Sequence, residues 1–113
     1  MPVINEVPKL WGRELWHHNN ARYSMKTLIL EPGAQSSLHY HERKEETFLV
    51  IEGSVWLELG GRVTLLTAGS SVDIRTREPH RFRCAGPKRA TVIEAGTEHD
   101  DEDVVRLEAS RLL

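Results

Sequence analysis

The chain has 113 residues, of which 39% are hydrophobic and 28% are charged, and its formal net charge is -2. This length fits one domain with a single core and excludes a separate substrate domain. The small acidic excess disfavours nucleic acid and anionic membranes as partners. Cys84 is the only cysteine, which excludes an intrachain disulfide, and we expect it to be a small buried apolar residue.

The N-terminal sequence, Met-Pro-Val-Ile-Asn-Glu-Val-Pro, has no basic stretch followed by a long apolar run. Such a run would indicate a signal peptide or a membrane span, so we expect a cytoplasmic protein. The expected organisation is one domain over residues 1–113, with an N-terminal arm at 1–20 and a β-barrel at 21–113.

From Tyr23 onward, short apolar and β-branched runs alternate with turn residues. The runs cover residues 27–30, 47–51, 55–59, 63–67, 72–74, 80–83 and 90–95. This spacing predicts an all-β sandwich or barrel, with a two-residue hairpin at Gly60-Gly61. Helical periodicity is limited to a short stretch near the C-terminus. The acidic residues from Asp100 to Asp103 are expected on the solvated surface.

Four side chains of metal-ligand type stand out in this pattern. His39 and His41 are one residue apart, so on a strand both imidazoles leave the same face. On a helix they would diverge by about 200°, and a strand is therefore predicted here. With Glu46 and His80 they form a set that suits a divalent transition metal (Mn, Zn, Fe, Ni or Co) and leaves two octahedral positions open.

Strand parity places these ligands inside the predicted barrel. Glu46 shares its face with Phe48, and His80 shares its face with Phe82, because side chains alternate with a period of two. Arg81 falls on the opposite face, toward solvent or a partner subunit. A metal at the mouth of an apolar interior is the consistent interpretation.

Between Gly33 and Gly53 the chain reads Gly-x5-His-x-His-x4-Glu-x6-Gly, which resembles the first motif of the cupin superfamily. The second cupin motif, Gly-x5-Pro-x-Gly-x2-His-x3-Asn, is matched at Gly69 and His80. Its proline, second glycine and asparagine are replaced by Arg75, Arg77 and Cys84. The loop before His80 is therefore expected to differ in shape from that of other cupins.

Most of the chain is also similar to the cupin domain of type II mannose-6-phosphate isomerases and related small cupins. The similarity runs from Leu10-Trp11-Gly12 through Val92-Ile93-Glu94 to the segment 102–108. The arrangement His39-x-His41-x2-Lys44-x-Glu46 is similar to that of cupin D-lyxose isomerases. These resemblances imply a double-stranded β-helix (a jelly-roll-like barrel), a divalent metal, and interconversion of aldoses and ketoses.

Such an isomerase needs a base that moves a proton between neighbouring carbons. Glu94 is the candidate base, since inward burial in its strand would raise its pKa. Lys44 is a candidate for stabilising the enediolate oxygen or binding a substrate phosphate, and Lys26 could also reach inward. Three arginines near His80 are candidates for binding a phosphate or carboxylate group of the substrate: Arg75, Arg77 and Arg81.

The remaining histidines and the tryptophans have simpler interpretations. Histidines without ligand spacing are expected on the surface or in loops: His17, His18 and His99. The tryptophans are expected to be core or subunit-interface anchors: Trp11, Trp16 and Trp56.

The predicted function is that of a metal-dependent isomerase of a sugar or sugar phosphate, with a carbohydrate as its small-molecule partner. A metal-dependent oxygenase is an alternative, because histidines and a carboxylate around Fe also activate dioxygen. A non-catalytic sugar-binding or regulatory module is another. A homodimer formed through an outer sheet face is expected.

Overall fold

The computed structural model describes residues 5–113 of the chain, so the first four residues of the predicted N-terminal arm lie outside the described residues. Strands and turns account for this range, with one 3-10 turn at Asp101–Asp103. The strands are β1 (Asn5–Lys9), β2 (Gly12–Asn19), β3 (Ser24–Leu30), β4 (Ala34–Gln35), β5 (Leu38–His41), β6 (Glu46–Glu52), β7 (Ser54–Leu59), β8 (Arg62–Thr67), β9 (Ser71–Ile74), β10 (His80–Cys84), β11 (Ala90–Gly96), β12 (Val104–Glu108) and β13 (Arg111–Leu112).

The all-β prediction is confirmed, and each predicted run lies within an observed strand. Leu59 pairs with Arg62, so Gly60-Gly61 forms the predicted two-residue hairpin, and the φ angles of 57° and 83° explain why glycine occupies both positions. The short helical stretch expected near the C-terminus is wrong: after the 3-10 turn, residues 104–108 pair with β5 as a strand.

The strands form two antiparallel sheets. In the six-stranded sheet the order is β1-β2-β3-β11-β6-β9, so residues 5–19 add a hairpin to its edge. In the seven-stranded sheet the order is β12-β5-β10-β4-β13, with β7 paired to β10 and β8 to β7. In residues 5–113 no helix has the length and apolar character needed to cross a membrane.

Inward-facing side chains change character along the central strands of the six-stranded sheet. On β3, buried Leu28 and Leu30 are followed toward one end by buried Lys26, and on β11 buried Val92 is followed by Glu94. The apolar end packs into the core and the ionisable end faces a cavity between the sheets. The buried apolar residues are Trp11, Leu28, Leu30, Ala34, Phe48, Val50, Val55, Leu57, Leu66, Ile74, Phe82, Cys84, Ala90 and Val92.

Candidate metal centre

Three histidines converge from two neighbouring strands of the seven-stranded sheet. His39 and His41 both lie on β5, which confirms the predicted strand, and His80 on β10 lies directly opposite His39. Their ligand nitrogens all lie within 4.8 Å of one another. His80 is fully buried, and Phe82 is buried on the same face of β10, as strand parity predicts.

The main chain orients two of these imidazoles. Nδ1 of His39 lies 2.9 Å from the carbonyl oxygen of Ser37, and Nδ1 of His80 lies 2.8 Å from that of Glu78. Because a carbonyl oxygen only accepts, each Nδ1 carries the proton and donates it. Each ring therefore keeps its Nε2 lone pair for a metal, the usual arrangement of a metal-binding histidine.

Glu46 from β6 completes the cluster. Its Oε1 lies 3.2 Å from Nε2 of His80 and 3.8 Å from Nε2 of His41. With Nδ1 of His80 protonated, both Nε2 of His80 and Oε1 of Glu46 are acceptors, so no hydrogen bond explains their 3.2 Å separation. Two atoms that each lie about 2.0–2.2 Å from one shared cation are separated by a similar distance. Among residues 5–113, the buried polar side-chain atoms without a hydrogen-bond partner include His41 Nδ1 and His80 Nε2, whereas Oε2 of Glu46 has an ion pair with Lys44. The donor set therefore fits a divalent cation.

Electrostatics keep these groups in their metal-binding protonation states. Burial lowers the pKa of His39 to about 3 and that of His41 to about 4, so both imidazoles are neutral near pH 7. Burial alone would raise the pKa of Glu46, but the positive charge of the adjacent Lys44 favours the ionised carboxylate, and the pKa is lowered. Neutral imidazoles and an ionised carboxylate are the forms that bind a metal.

Lys44 lies beside this cluster with its side chain buried. Its Nζ donates to Glu94 at 2.7 Å and forms an ion pair with Oε2 of Glu46 at 3.2 Å. Burial lowers the pKa of Lys44, but the charges of Glu94 and Glu46 outweigh it and raise the pKa. One ammonium group therefore joins Glu46, a candidate ligand, to the candidate base Glu94.

Glu94 points into the cavity and is 6% exposed. On the sheet it pairs with Lys26 on one side and Phe48 on the other, and Nζ of Lys26 lies 4.0 Å from its carboxylate. Burial raises the pKa of Glu94, as expected from the sequence, and the charge of Glu46 adds to this effect against Lys44. Lys26 is also buried and lies 4.0 Å from the ring centre of Trp16.

Comparison with known proteins agrees with this fold. Residues 26–100, more than half of the chain, match the cupin domain family. The chain is a cupin. Xanthan biosynthesis protein XanB of Xanthomonas campestris is 29% identical over 105 residues, covering 91% of the cupin. Mannose-1-phosphate guanylyltransferase 2 of Escherichia coli O157:H7 is 27% identical over 103 residues, covering 89%. The cupin spans 22% and 21% of these relatives, about a fifth of their length.

Solved structures confirm the double-stranded β-helix. A protein with a double-stranded β-helix domain from Klebsiella pneumoniae has a TM-score of 0.75 at 20% identity and covers 84% of the cupin and 83% of its own chain. The capsular polysaccharide assembling protein CapF from Staphylococcus aureus has a TM-score of 0.80 at 20% identity, covering 95% of the cupin and 32% of its own chain. At this identity the likeness concerns the fold alone.

The structure does not bring the three candidate arginines into the cupin's cavity. Arg81 lies one residue after His80, so it faces outward, where it donates to Glu58 and Glu108. The other two lie after the end of β9 on the solvent side: Arg75 is exposed, and Arg77 pairs with Glu42. Sequence proximity to His80 therefore does not place these side chains near the ligands.

Arg77 has a backbone conformation that explains its position in the second cupin motif. Its φ angle is 64°, in the left-handed region, and its N–H donates to the carbonyl oxygen of His41 at 2.7 Å. The motif has its second glycine at this position. Arginine thus occupies here a left-handed backbone conformation that favours glycine.

Sequence reasoning missed the segment that follows β11. His99 lies in a loop, as expected, but its ring contributes to the cavity wall and its Nδ1 lies 3.0 Å from Nζ of Lys44. Asp103 is buried, which corrects the expectation of a fully solvated acidic cluster; its carboxylate accepts from the N–H groups of Arg43 and Lys44. Asp103 is buried because the backbone N–H groups of the loop at Arg43 and Lys44 need a hydrogen-bond acceptor, which its carboxylate provides.

Cationic side chains that were not predicted line the same cavity. Lys9 from β1 and Arg106 from β12 both contribute to its wall, and within residues 5–113 neither forms an ion pair. Trp11 also lines the cavity, although it is core, and it packs edge-on against Phe82. Trp16 and Trp56 are half-buried. No motif spacing marks these residues, because they come from separate strands.

Proposed function

We propose that this cupin is a metal-dependent isomerase of a sugar or sugar phosphate, similar in activity to mannose-6-phosphate isomerase, and that it acts through an enediol. The observation that carries the proposal is the buried Glu94 carboxylate, which shares one cavity with His39, His41 and Glu46, while the fully buried His80 completes the histidine cluster behind them. Aldose-ketose isomerisation needs these two functions side by side: stabilisation of negative charge on oxygen and a base at the adjacent carbon.

His39, His41, His80 and Glu46 would hold the divalent transition metal, for which Mn, Zn, Fe, Ni and Co are all admissible. When bound, the cation supplies Lewis-acid stabilisation to the carbonyl oxygen and orients the neighbouring hydroxyl.

Glu94 takes the proton from the carbon beside the carbonyl and returns it to the neighbouring carbon. Burial favours this role, because a raised pKa brings the proton affinity of the carboxylate closer to that of a useful base. Lys44 anchors the carboxylate at 2.7 Å, and its positive charge offsets the negative charge that develops on the substrate. Trp11 and Phe82 line the apolar part of the cavity and exclude water.

The substrate class is supported by charge and by the relatives. Lys9 and Arg106 offer unpaired positive charge to an anionic substituent such as a phosphate, a role that the three arginines outside the cavity cannot fill. The names of the relatives concern xanthan biosynthesis and mannose 1-phosphate. Because the cupin spans about a fifth of those proteins, we carry over the sugar class and not their whole activities.

The test is proton exchange in heavy water. The purified protein is loaded with Mn²⁺, Co²⁺, Zn²⁺, Ni²⁺ or Fe²⁺ and incubated with a panel of aldoses, ketoses and their phosphates. Deuterium should appear on the carbon beside the carbonyl, and the exchange should stop when the metal is removed with a chelator. Absence of exchange with every metal and sugar contradicts the isomerase.

The same experiment distinguishes the two alternative functions. Oxygen consumption with Fe²⁺ and a sugar, without exchange, indicates an oxygenase. Saturable sugar binding without exchange or oxygen uptake indicates a binding or regulatory module.

We further propose a homodimer in the cytoplasm. Trp56, Val63 and Leu65 lie on the outer strands β7 and β8, where the latter two are exposed, so a partner subunit has an apolar face to cover. Light scattering at several protein concentrations tests the dimer, and a monomer at all concentrations contradicts it.

A further inference from the structure

The segment His99 to Asp103 contacts both the backbone N–H and the side-chain ammonium group of Lys44. Oδ2 of Asp103 accepts from the backbone N–H of Lys44 at 3.0 Å, and Oδ1 accepts from that of Arg43 at 2.9 Å. At the tip of the lysine side chain, Nδ1 of His99 lies 3.0 Å from Nζ of Lys44. The main chain and the ammonium group of one lysine are therefore both held by a segment more than fifty residues away in the sequence.

The hydrogen-bond chemistry fixes the tautomer of His99. A lysine ammonium only donates, so Nδ1 of His99 must be the acceptor. Its Nε2 then carries the proton and donates to Oδ1 of Asp101 at 2.8 Å. The ring also packs edge-on against Trp16, and Asn19 bonds the backbone of His99 twice, once to its N–H and once to its carbonyl oxygen, each at 2.9 Å.

We propose that His99 and Asp103 are positioning residues that hold the Lys44 ammonium between Glu94 and Glu46. Two of the three ammonium protons are then directed at Glu94 and His99, and the third neighbour is Glu46. Without the acceptor on His99, the ammonium is free to turn toward either carboxylate alone. This inference rests on the proposed function, since it assigns the geometry of the charge beside the candidate base.

The experiment compares two substitutions of His99 in the full chain. His99→Leu removes the acceptor and should lower kcat about 10- to 100-fold, the range typical of residues that orient a site, while KM and metal content stay unchanged. His99→Gln keeps an acceptor near the same place and should restore most of kcat. His18→Leu is the matched control, because His18 is exposed and stacks on Tyr23 away from the cavity. Wild-type kcat in His99→Leu, or no recovery in His99→Gln, overturns the proposal.

A spectroscopic readout separates this inference from the isomerase itself. In ¹⁵N NMR spectra of the histidine rings, His99 should be the Nε2–H tautomer. The substitution Lys44→Met should shift the Nδ1 resonance of His99 and leave the ring resonances of His18 unchanged. A protonated Nδ1 of His99 in the wild type, or an Nδ1 resonance of His99 that Lys44→Met does not shift, overturns the positioning role. If the signature is present but no sugar exchanges its proton, the proposed function fails and the positioning of Lys44 stands.

Discussion

The two walls of the cavity differ in how their functional side chains are distributed along the chain. The seven-stranded sheet supplies three histidines from two adjacent strands, with His39 and His80 directly opposite each other. The six-stranded sheet supplies Lys26, Glu46 and Glu94 from three separate strands, β3, β6 and β11. The histidine wall thus rests on a single strand pair, whereas the charged wall requires three strands to be brought together.

The two walls also differ in the contacts that hold them. The histidine wall has its orienting partners just before the same two strands, in the carbonyl groups of Ser37 and Glu78. The charged wall is held by pairs such as that of Lys44, in the loop before β6, with Glu94 on β11, which are fifty residues apart. Substitutions in the histidine wall should therefore affect the metal selectively, whereas substitutions of Lys44 or Glu94 should affect proton transfer or stability with the metal retained.

The largest effect is expected from His41→Ala in the histidine wall. Loss of a residue that only orients a ligand typically weakens metal binding about 10- to 100-fold. Loss of one of the four proposed ligands should weaken it by more than that. Metal content after gel filtration and titration calorimetry with Mn²⁺ or Zn²⁺ measure this loss, with His18→Ala as an exposed control. Full metal occupancy in His41→Ala contradicts the proposed coordination.

Glu94→Gln tests the charged wall with little change in shape. Proton exchange at the substrate carbon should fall by about 10²- to 10⁴-fold, the usual contribution of a general base, because an amide cannot take up the proton. Metal content should equal that of the wild type. If exchange is unchanged, Glu94 is not the base; if the metal is lost, the two walls are not separable.

The main expected effect of Lys44→Met is a lower free energy of unfolding. The substitution leaves Glu46 and Glu94 buried without their shared counter-charge, and breaking a buried ion pair in this way typically costs about 3–5 kcal/mol. Urea unfolding measures the free energy of unfolding. The double variant Lys44→Met/Glu94→Gln should recover part of the loss, since one buried charge is then removed; equal stability of Lys44→Met and wild type would show that the pair is not coupled.

The sequence predicted the histidine wall more fully than the charged wall for a physical reason. Side-chain alternation needs only the local strand, so His39 and His41 could be placed on one face, and Phe82 could be placed beside His80. The burial of Lys44 and Asp103 depends on how a loop meets the segment after β11, which no local period encodes. Arg81 shows the same limit, because its proximity to His80 along the chain conceals its outward direction.

A smaller effect is expected at the rim of the cavity. Lys9→Met and Arg106→Met should raise KM for a phosphorylated sugar, each by about tenfold if one charge-assisted contact of about 1.4 kcal/mol is lost. KM for the unphosphorylated sugar should not change, and that comparison is the internal control. A parallel rise for both sugars would mean that these residues do not bind the phosphate.

The smallest effect is expected outside both walls, at Arg77. Arg77→Gly should stabilise the protein by up to about 1 kcal/mol, because glycine adopts the left-handed backbone without the cost that other residues have there. The exposed ion pair with Glu42 that it removes is worth little. Thermal unfolding measures the change, Arg75→Gly is the control, and a destabilised Arg77→Gly would contradict the interpretation of this turn. Kinetics should be unaffected, since Arg77 lies outside the cavity.

The carbonyl groups that orient His39 and His80 each belong to the residue two positions earlier in the chain. Every amino acid carries a main-chain carbonyl, so exchanging the side chain at position 37 or 78 does not delete the acceptor. A designer who wished to graft this centre into another β-barrel would therefore need to copy first the backbone path that leads into each histidine, and then the hydroxyl of Ser37, whose Oγ lies 3.0 Å from Nδ1 of His39.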